Sequence, residues 1–421
     1  MAPSASPAPT HAPRDLDIAI IGGSIAGCTA AIELARLGAR VTLFERSGEE
    51  LKDRGAGLGI PTSVVDTFIA RDLVDAALPY FPAPAFLRIC RTAKESRYGR
   101  LAWAQPATLA ALNWGGLYRN LRKRVPAGVY RTRQQVVGIE QVDEEAVRLR
   151  FTDGDAAMFS LVVCADGYAS IGRQTLFPEA TLNYAGYVLW RGQLPEAALA
   201  ASPPLEIGIR CVGYAGGHGI FYFVPGADDS VAVGARLVNW GVYVAVPPAE
   251  LAAFMTDKAG RVHQGSLPPG MMPLATERGL KDRLMAVMPD YYSEILQRSI
   301  DTFAYAIYDC QVPAYRRGRV CLAGDAGAFA RPHSGAGALK GINDAIALSE
   351  ALRSAPSLDA ALAAWDAERT NINNQLVRYG NQLGAAFVTA IPDWSEMDVP
   401  AMEKWFNSVV TIQSDYIAAR S

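Results

Sequence analysis

Ile18-Ala19-Ile20-Ile21 is an unbroken apolar run that follows a polar, proline-rich start. A run of this kind suits a parallel strand buried on both faces. After it, Ile25, Cys28, Ala31, Ile32, Leu34 and Ala35 recur at helical spacing and predict a helix over 24–37, with Gly38 placed to end it. Val41-Thr42-Leu43-Phe44 is the next apolar run. Strand, helix, strand in this order is one right-handed βαβ unit, with order beginning near Leu16.

Further along, Gly55, Gly57 and Gly59 predict a loop, and Pro61-Thr62 a helix start. "FLRICRT" after Pro82 and Pro84 reads as strand, 115–124 as helix, and 131–167 as several strands joined by Asp-Gly turns. Between Tyr184 and Val246 strand patterns recur in "YAGYVLWRGQL", "GIFYFVP" and "SVAVGARLV", which predicts a separate antiparallel sheet. Residues 250–299 turn helical, interrupted at Pro268-Pro269. Then "RRGRVCLAGDAG" gives a buried strand, and long helices follow with a break and cap at Pro356-Ser357. The expected fold class is α/β: a Rossmann-like dinucleotide domain, an inserted antiparallel-sheet domain and C-terminal helices. The expected divisions are a disordered tail at 1–15, the dinucleotide domain at 16–80, 100–180 and 300–355, the sheet domain at 81–99 and 181–299, and helices at 356–421.

Composition narrows the picture without naming a chemistry. The 421 residues carry a formal charge of -2, which offers no electrostatic basis for nucleic-acid binding. No apolar run is long enough to span a bilayer. Six cysteines form no C-x-x-C pair and there are four histidines, so no metal site is expected. "MAPSASPAPTHAPRD" lacks the basic and apolar regions of a signal peptide, and reduced thiols in a cytoplasmic protein are the expectation.

The chemistry lies in two turns. Gly22-Gly23-Ser24-Ile25-Ala26-Gly27 fills the G-x-G-x-x-G frame with Ser24 in place of the second glycine. Such a turn brings backbone N–H groups and a helix N-terminus to a pyrophosphate, and a serine hydroxyl can donate there. Glu45, ending the second strand, suits ribose hydroxyls, and Arg46 an adenosine contact. A simple nicotinamide enzyme needs no second Gly-Asp turn, yet "GDAGAFARPHSGAGALKGINDA" begins one at Gly324. An extended FAD would use it: Asp325 for a ribityl hydroxyl, and the N–H groups of Gly335, Ala336 and Gly337 for the flavin edge that gains negative charge on reduction.

With "GGSIAG", Glu45-Arg46, "CADGYASIGR" (Asp166-Gly167, Ser170, Arg173) and the Gly324 segment in this order, the chain resembles the class A flavoprotein monooxygenases of the para-hydroxybenzoate hydroxylase fold. "YAGYVLWRG", "RPH" at 331–333 and His218 four residues before Tyr222 point more narrowly to the 2,6-dihydroxypyridine 3-hydroxylase group. Three positions depart from the family pattern: Cys310 follows Asp309 where arginine is common, Gly327 and Ala328 stand where a histidine often follows, and "NWGG" opens the helix at 115.

The resemblance implies FAD, reduced by NADH or NADPH, and hydroxylation of a phenol or hydroxypyridine by O2 through a flavin C4a-hydroperoxide. A flavin epoxidase or a non-catalytic FAD- or aromatic-ligand-binding protein is the alternative. It also implies His218, Tyr222 and Pro332 at the reaction, His333 against substrate, and Gly57, Gly335 and Gly337 beside a moving ring. Of the strand neighbours Trp190 and Arg191 at most one can face a pocket, and an indole wall makes Trp190 the candidate. The small aromatic substrate and O2 are the expected partners, with no nucleic acid and no membrane; a homodimer or larger homo-oligomer is compatible with the sequence.

Overall fold

The computed structural model describes residues 13–48, 51, 57–92, 97–199, 203–226 and 228–410. The expected tail at 1–15 lies mostly outside the described residues, as does Gly55; Pro13–Asp15 form one 3-10 turn.

The first apolar run is buried on both sides, as its pattern requires. Asp17–Ile21 lies parallel between Arg40–Phe44 and Leu161–Cys164, and Val320–Leu322 pairs in parallel beyond the latter. Tyr130–Arg131 and the antiparallel Arg316–Arg317 complete six strands. Helix Ile25–Arg36 packs on helix Gly337–Ser354 at very short range. Gly341 makes this possible, since a Cβ there would stand 2.7 Å from the Ala26 Cβ. Three hundred residues of sequence separation are thereby closed in one helix crossing.

The second sheet has nine strands, from Ser266–Leu267 at one edge through Phe303–Asp309, Asn183–Pro195, Leu237–Ala245, Gly217–Val224, Ile209–Tyr214, Phe81–Cys90 and Arg100–Asn113 to Gly57–Pro61. All neighbours are antiparallel except Ile209–Tyr214 with Phe81–Cys90. Three expectations change here. Arg100–Asn113 and Phe303–Asp309 belong to this sheet, so the divisions drawn at 100 and 300 do not follow the strands. Gly57 and Gly59 lie on an edge strand rather than in a loop. Arg100–Asn113 is hard to read in sequence because "WAQPATLAA" is rich in alanine and holds Pro106, so local β propensity is low; pairing along both edges decides it.

A small sheet of Val136–Gln141, Val147–Phe151 and Ala156–Phe159 packs beside the first. The chain ends in helices. Leu358–Gly384 starts where the Ser357 hydroxyl accepts from the Ala360 N–H at 3.2 Å. It runs into a π-turn at Ala385–Thr389 and is followed by Val399–Val409. All six cysteines are free and buried, in line with the reading of their apolar surroundings. Among the described residues no helix is long and apolar enough to cross a membrane, and no cluster could hold a metal ion.

Candidate active site

The glycine turn is built for contact rather than for space. Gly22 has φ +100°, which favours glycine, and a Cβ there would strike the Ala165 carbonyl at 2.4 Å. Gly27 packs its helix against the Gly22 carbonyl, where a Cβ would stand 1.8 Å away. Gly23 is held on both sides: its N–H donates to Glu45 Oε2 at 2.8 Å, and its carbonyl accepts from the Tyr130 hydroxyl at 3.0 Å. Glu45 also accepts the Ser47 N–H at 2.8 Å. It thus clasps the turn with its carboxylate while keeping lone pairs for a ligand. Ser24 is the N-cap of helix Ile25–Arg36 with no side-chain capping bond, so its hydroxyl is uncommitted. Arg46 is exposed beside Glu45.

Asp166 is half-buried; its Oδ2 accepts the Ile171 N–H at 2.7 Å at the start of helix Ile171–Leu176, whose N-cap is Ser170, and its Oδ1 has no partner among the described residues. Burial raises its carboxyl above the usual range. Arg173 of the same motif reaches across to the second turn, donating to the Asp325 and Ala326 carbonyls at 3.3 and 3.2 Å. The Asp-Gly and Gly-Asp motifs are thus one structural unit. The Gly324 N–H donates to Asp344 Oδ2 at 2.8 Å. Asp344 Oδ1 in turn accepts from Arg369 Nε at 2.7 Å and Asn373 Nδ2 at 2.9 Å.

Beyond Asp325 opens a cavity of about 880 Å³ between the nine-stranded sheet, the start of helix Gly337–Ser354 and the helix Leu358–Gly384. Asp325, Pro332, His333, Gly335, Ala336 and Gly337 line one wall; Gly57, Arg191, His218, Tyr222, Asn239 and Tyr243 line another. The Asp325 carboxylate is part-exposed, with Lys340 Nζ at 3.3 Å. Of the three N–H groups expected to face the flavin, that of Gly335 donates to the Pro332 carbonyl at 2.9 Å and that of Ala336 lies 3.4 Å from Ser334 Oγ, so only the Gly337 N–H, at the helix start, has no acceptor among the described residues. Gly335 has φ +66°, and a Cβ at Gly337 would meet nothing within 4 Å. Open space, the free Gly337 N–H at a helix start and an acceptor on the approach are what the far half of FAD requires, so the residues fit that cofactor.

The expected indole wall is corrected. Trp190 is fully buried on the opposite face of its strand, edge-to-face with Trp240 at 4.8 Å. Arg191 takes the cavity place instead, donating to the Gly57 carbonyl at 3.3 Å, with its Nε unpaired. Asn239 Oδ1 accepts the Gly57 N–H at 2.8 Å, so Gly57 is clamped from both sides. Arg88 also lines the cavity, within 5.5 Å of the Phe86, Phe387 and Phe406 rings. Neither arginine has a carboxylate in salt-bridge reach among the described residues.

His218 and Tyr222 share the face expected of alternate strand residues. His218 Nδ1 lies 2.9 Å from the Phe387 carbonyl in the π-turn. Burial lowers its pKa to about 4, against the Phe387 hydrogen bond and with Arg88 adding repulsion. His333 Nε2 lies 3.0 Å from the Tyr187 hydroxyl, and burial, His218 and Arg331 hold its pKa well below the ordinary histidine range. Tyr243 stacks with both, at 4.7 and 4.2 Å. Both imidazoles are therefore neutral at neutral pH. As pH falls from 6.5 toward 4 the unfolded chain binds protons that folded His218 refuses, so stability is lost in that window. Between pH 8 and pH 5 His218 alone should cost roughly 2 kcal/mol. Urea unfolding of parent and His218→Phe at the two pH values checks this; equal acid losses would show that His218 contributes none of it.

Sequence reasoning did not find Asp344, Arg88, Asn239 or Tyr187. "GINDA" lies in the segment that begins at Gly324, but only the fold shows that its aspartate faces back to Gly324.

The two turns and the cavity between them define a flavin-dependent oxidoreductase. Residues 17–60 match the pyridine nucleotide-disulphide oxidoreductase family, 184–309 the FAD binding domain-like family and 273–379 the FAD binding domain family. The 2,6-dihydroxypyridine 3-monooxygenase of Paenarthrobacter nicotinovorans is 30% identical over 83% of this chain and 86% of its own. Among solved structures, 2,6-dihydroxypyridine-3-hydroxylase from Arthrobacter nicotinovorans has a TM-score of 0.80 at 25% identity, covering 90% of this chain and 94% of that one. Klebsiella pneumoniae HpxO, solved with FAD and uric acid, shares the fold with a TM-score of 0.73 at 20% identity over 96% of this chain and 97% of its own. The chain belongs to the class A flavoprotein monooxygenases and is an FAD-dependent enzyme.

Proposed function

We propose that the protein is a single-component hydroxylase that uses NADH or NADPH and O2 to hydroxylate an electron-rich ring, a hydroxypyridine or a phenol. The observation that carries this is the shared cavity. The Asp325 turn and the uncapped helix start form one side, and an aromatic wall with His218, Tyr222, His333 and Arg191 forms the other.

The cofactor would lie from Gly22, Ser24, Gly27, Glu45 and Arg46 to Asp325 and the Gly335-Ala336-Gly337 helix start, where the Gly337 N–H is free to meet it, with Asp166 holding the turns between. When bound, FAD supplies the electron transfer from nicotinamide and the delivery of one oxygen atom to the ring. The chain's own residues supply position and charge. Tyr222, Tyr243 and the Pro332 segment enclose a planar ring and exclude water. Arg88 and Arg191 favour the substrate's anion, because an unpaired cation nearby lowers the pKa of a ring hydroxyl. A deprotonated or strongly hydrogen-bonded hydroxyl pushes electron density into the ring, which favours attack ortho or para to it. His218, neutral and accepting, suits that hydrogen bond better than full proton uptake, given its depressed pKa.

Ligand-stimulated oxidation of NADH and NADPH, with product counted per nicotinamide, tests the reading. Hydroxylated product in near-stoichiometric yield is expected for at least one hydroxypyridine or phenol. Ligand binding without consumption would leave a sequestering protein, and an epoxide product would leave the epoxidase alternative. Asp325→Ala should at the same time weaken FAD retention at least tenfold, as a ribityl hydroxyl loses its acceptor. Equal retention by dialysis and absorbance would remove Asp325 from the cofactor site.

A further inference from the structure

The hydrogen bonds behind His218 and His333 fix what each ring presents to the cavity. The Phe387 carbonyl can only accept, so His218 Nδ1 carries the proton and donates. Its Nε2 has no protein partner among the described residues and is not sealed from the cavity. His218 therefore offers a lone pair.

His333 is held the other way round. Arg331 can only donate, and its guanidinium lies 3.5 Å from the Tyr187 hydroxyl oxygen, anchored by Asp309 at 2.8 Å. Tyr187 is fully buried, and the acceptor its own proton can reach is His333 Nε2 at 3.0 Å. A buried donor left without an acceptor is unfavourable, so that proton goes to the imidazole. His333 thus accepts at Nε2 and carries its proton on Nδ1, which has no protein partner among the described residues and is open to the cavity. Both rings are the Nδ1–H tautomer, yet one shows the cavity an acceptor and the other a donor. Their centroids are 5.6 Å apart, both against Tyr243.

We propose that His218 and His333 form a paired reading edge for an aromatic ring that carries a hydrogen-bond donor beside an acceptor. The donor, a ring hydroxyl or lactam N–H, meets Nε2 of His218. The acceptor, a ring carbonyl, ring nitrogen or carboxylate, meets Nδ1–H of His333. Tyr187 and Arg331 are positioning residues that hold the His333 tautomer, and the Phe387 carbonyl does the same for His218. The charged and titratable groups around the pair are Tyr187, Tyr243, Arg331 and Arg88, and none is a carboxylate that would protonate either ring. The assignment rests on the reading of this cavity as the substrate site.

The test uses the FAD-loaded protein with ¹⁵N-labelled histidine, and four histidines keep the spectrum sparse. Expected are unprotonated Nε2 and protonated Nδ1 for both His218 and His333 at pH 7.5. In Tyr187→Phe, His333 should lose that bias and populate the Nε2–H form, while His218 stays as it was. A protonated Nε2 on either ring in the parent, or an unmoved His333 in Tyr187→Phe, overturns the assignment. A binding arm needs no turnover: 2-pyridone and N-methyl-2-pyridone are titrated against the flavin absorbance. N-methylation removes the donor and should weaken binding at least tenfold in the parent, but less than twofold in His218→Phe. Equal affinities in the parent, or no response to 2-pyridone at its solubility limit, overturn the recognition role. Tautomers and pyridone discrimination as stated, in a protein that hydroxylates nothing, would sink the hydroxylase reading and leave this assignment standing.

Discussion

Replacing Asp344 with leucine should destabilise the protein by about 3–5 kcal/mol, the usual cost of removing one member of a buried ion pair. Asp344 is fully buried and serves three partners at once: the Gly324 N–H, Arg369 Nε and Asn373 Nδ2. Its loss leaves the Arg369 guanidinium without its 2.7 Å carboxylate in a site with little water. It also frees the N–H of Gly324, the residue that turns the chain at φ +59°. The Asp325 turn should then drift, so cofactor should be lost together with stability. Asp344→Asn keeps the shape and one acceptor and should fall between the two. Denaturant midpoints together with the flavin-to-protein absorbance ratio read both effects. A leucine variant with parental midpoint and parental flavin content would show that the turn holds itself.

His218→Phe should lower product formed per nicotinamide consumed on the order of 10²-fold, the lower range for loss of a positioned acid–base group. The substitution fills the space and keeps the stack on Tyr243, so the effect isolates the lone pair that meets the ring hydroxyl. Nicotinamide consumption itself should persist, which makes the signature uncoupling rather than inactivity. Tyr222→Phe, a smaller change on the same face, should uncouple less. His263→Ala is the control, because His263 bonds Asp257 at 2.9 Å and is not part of the cavity wall. Parental coupling in His218→Phe would remove this ring from the chemistry and leave it as wall.

The dinucleotide half of the molecule was legible in sequence because its signals are local. A buried strand, a glycine turn and an amphipathic helix each lie within a few residues, and the observed helix Ile25–Arg36 matches the pattern within a residue at each end. Gly324 and Asp325 were legible for the same reason. What holds them was not: Arg173 and Asp344 reach the second turn from other elements. Trp190 shows a second limit. Alternation says that Trp190 and Arg191 face opposite ways, but not which way; that depends on the partner strands and on Trp240, which shares the dry face. The long strand Arg100–Asn113 was missed because its alanines and proline carry weak local preference. His218 and Tyr222 were found through spacing, whereas the carbonyl that orients His218 comes from a helix end 169 residues later.

That last separation bears on how the protein is made. Synthesis runs from the N-terminus, and the His218 strand emerges long before the π-turn at Ala385–Thr389. The parallel sheet likewise waits for Val320–Leu322, and the Gly324 anchor for Asp344, Arg369 and Asn373. Contacts of such range form late and slowly. A ribosome that has delivered the first two-thirds of the chain therefore carries an open, apolar cleft with no finished place for a flavin. Cofactor capture should therefore be a late event of biogenesis, and a chain truncated before Val320 should retain no flavin.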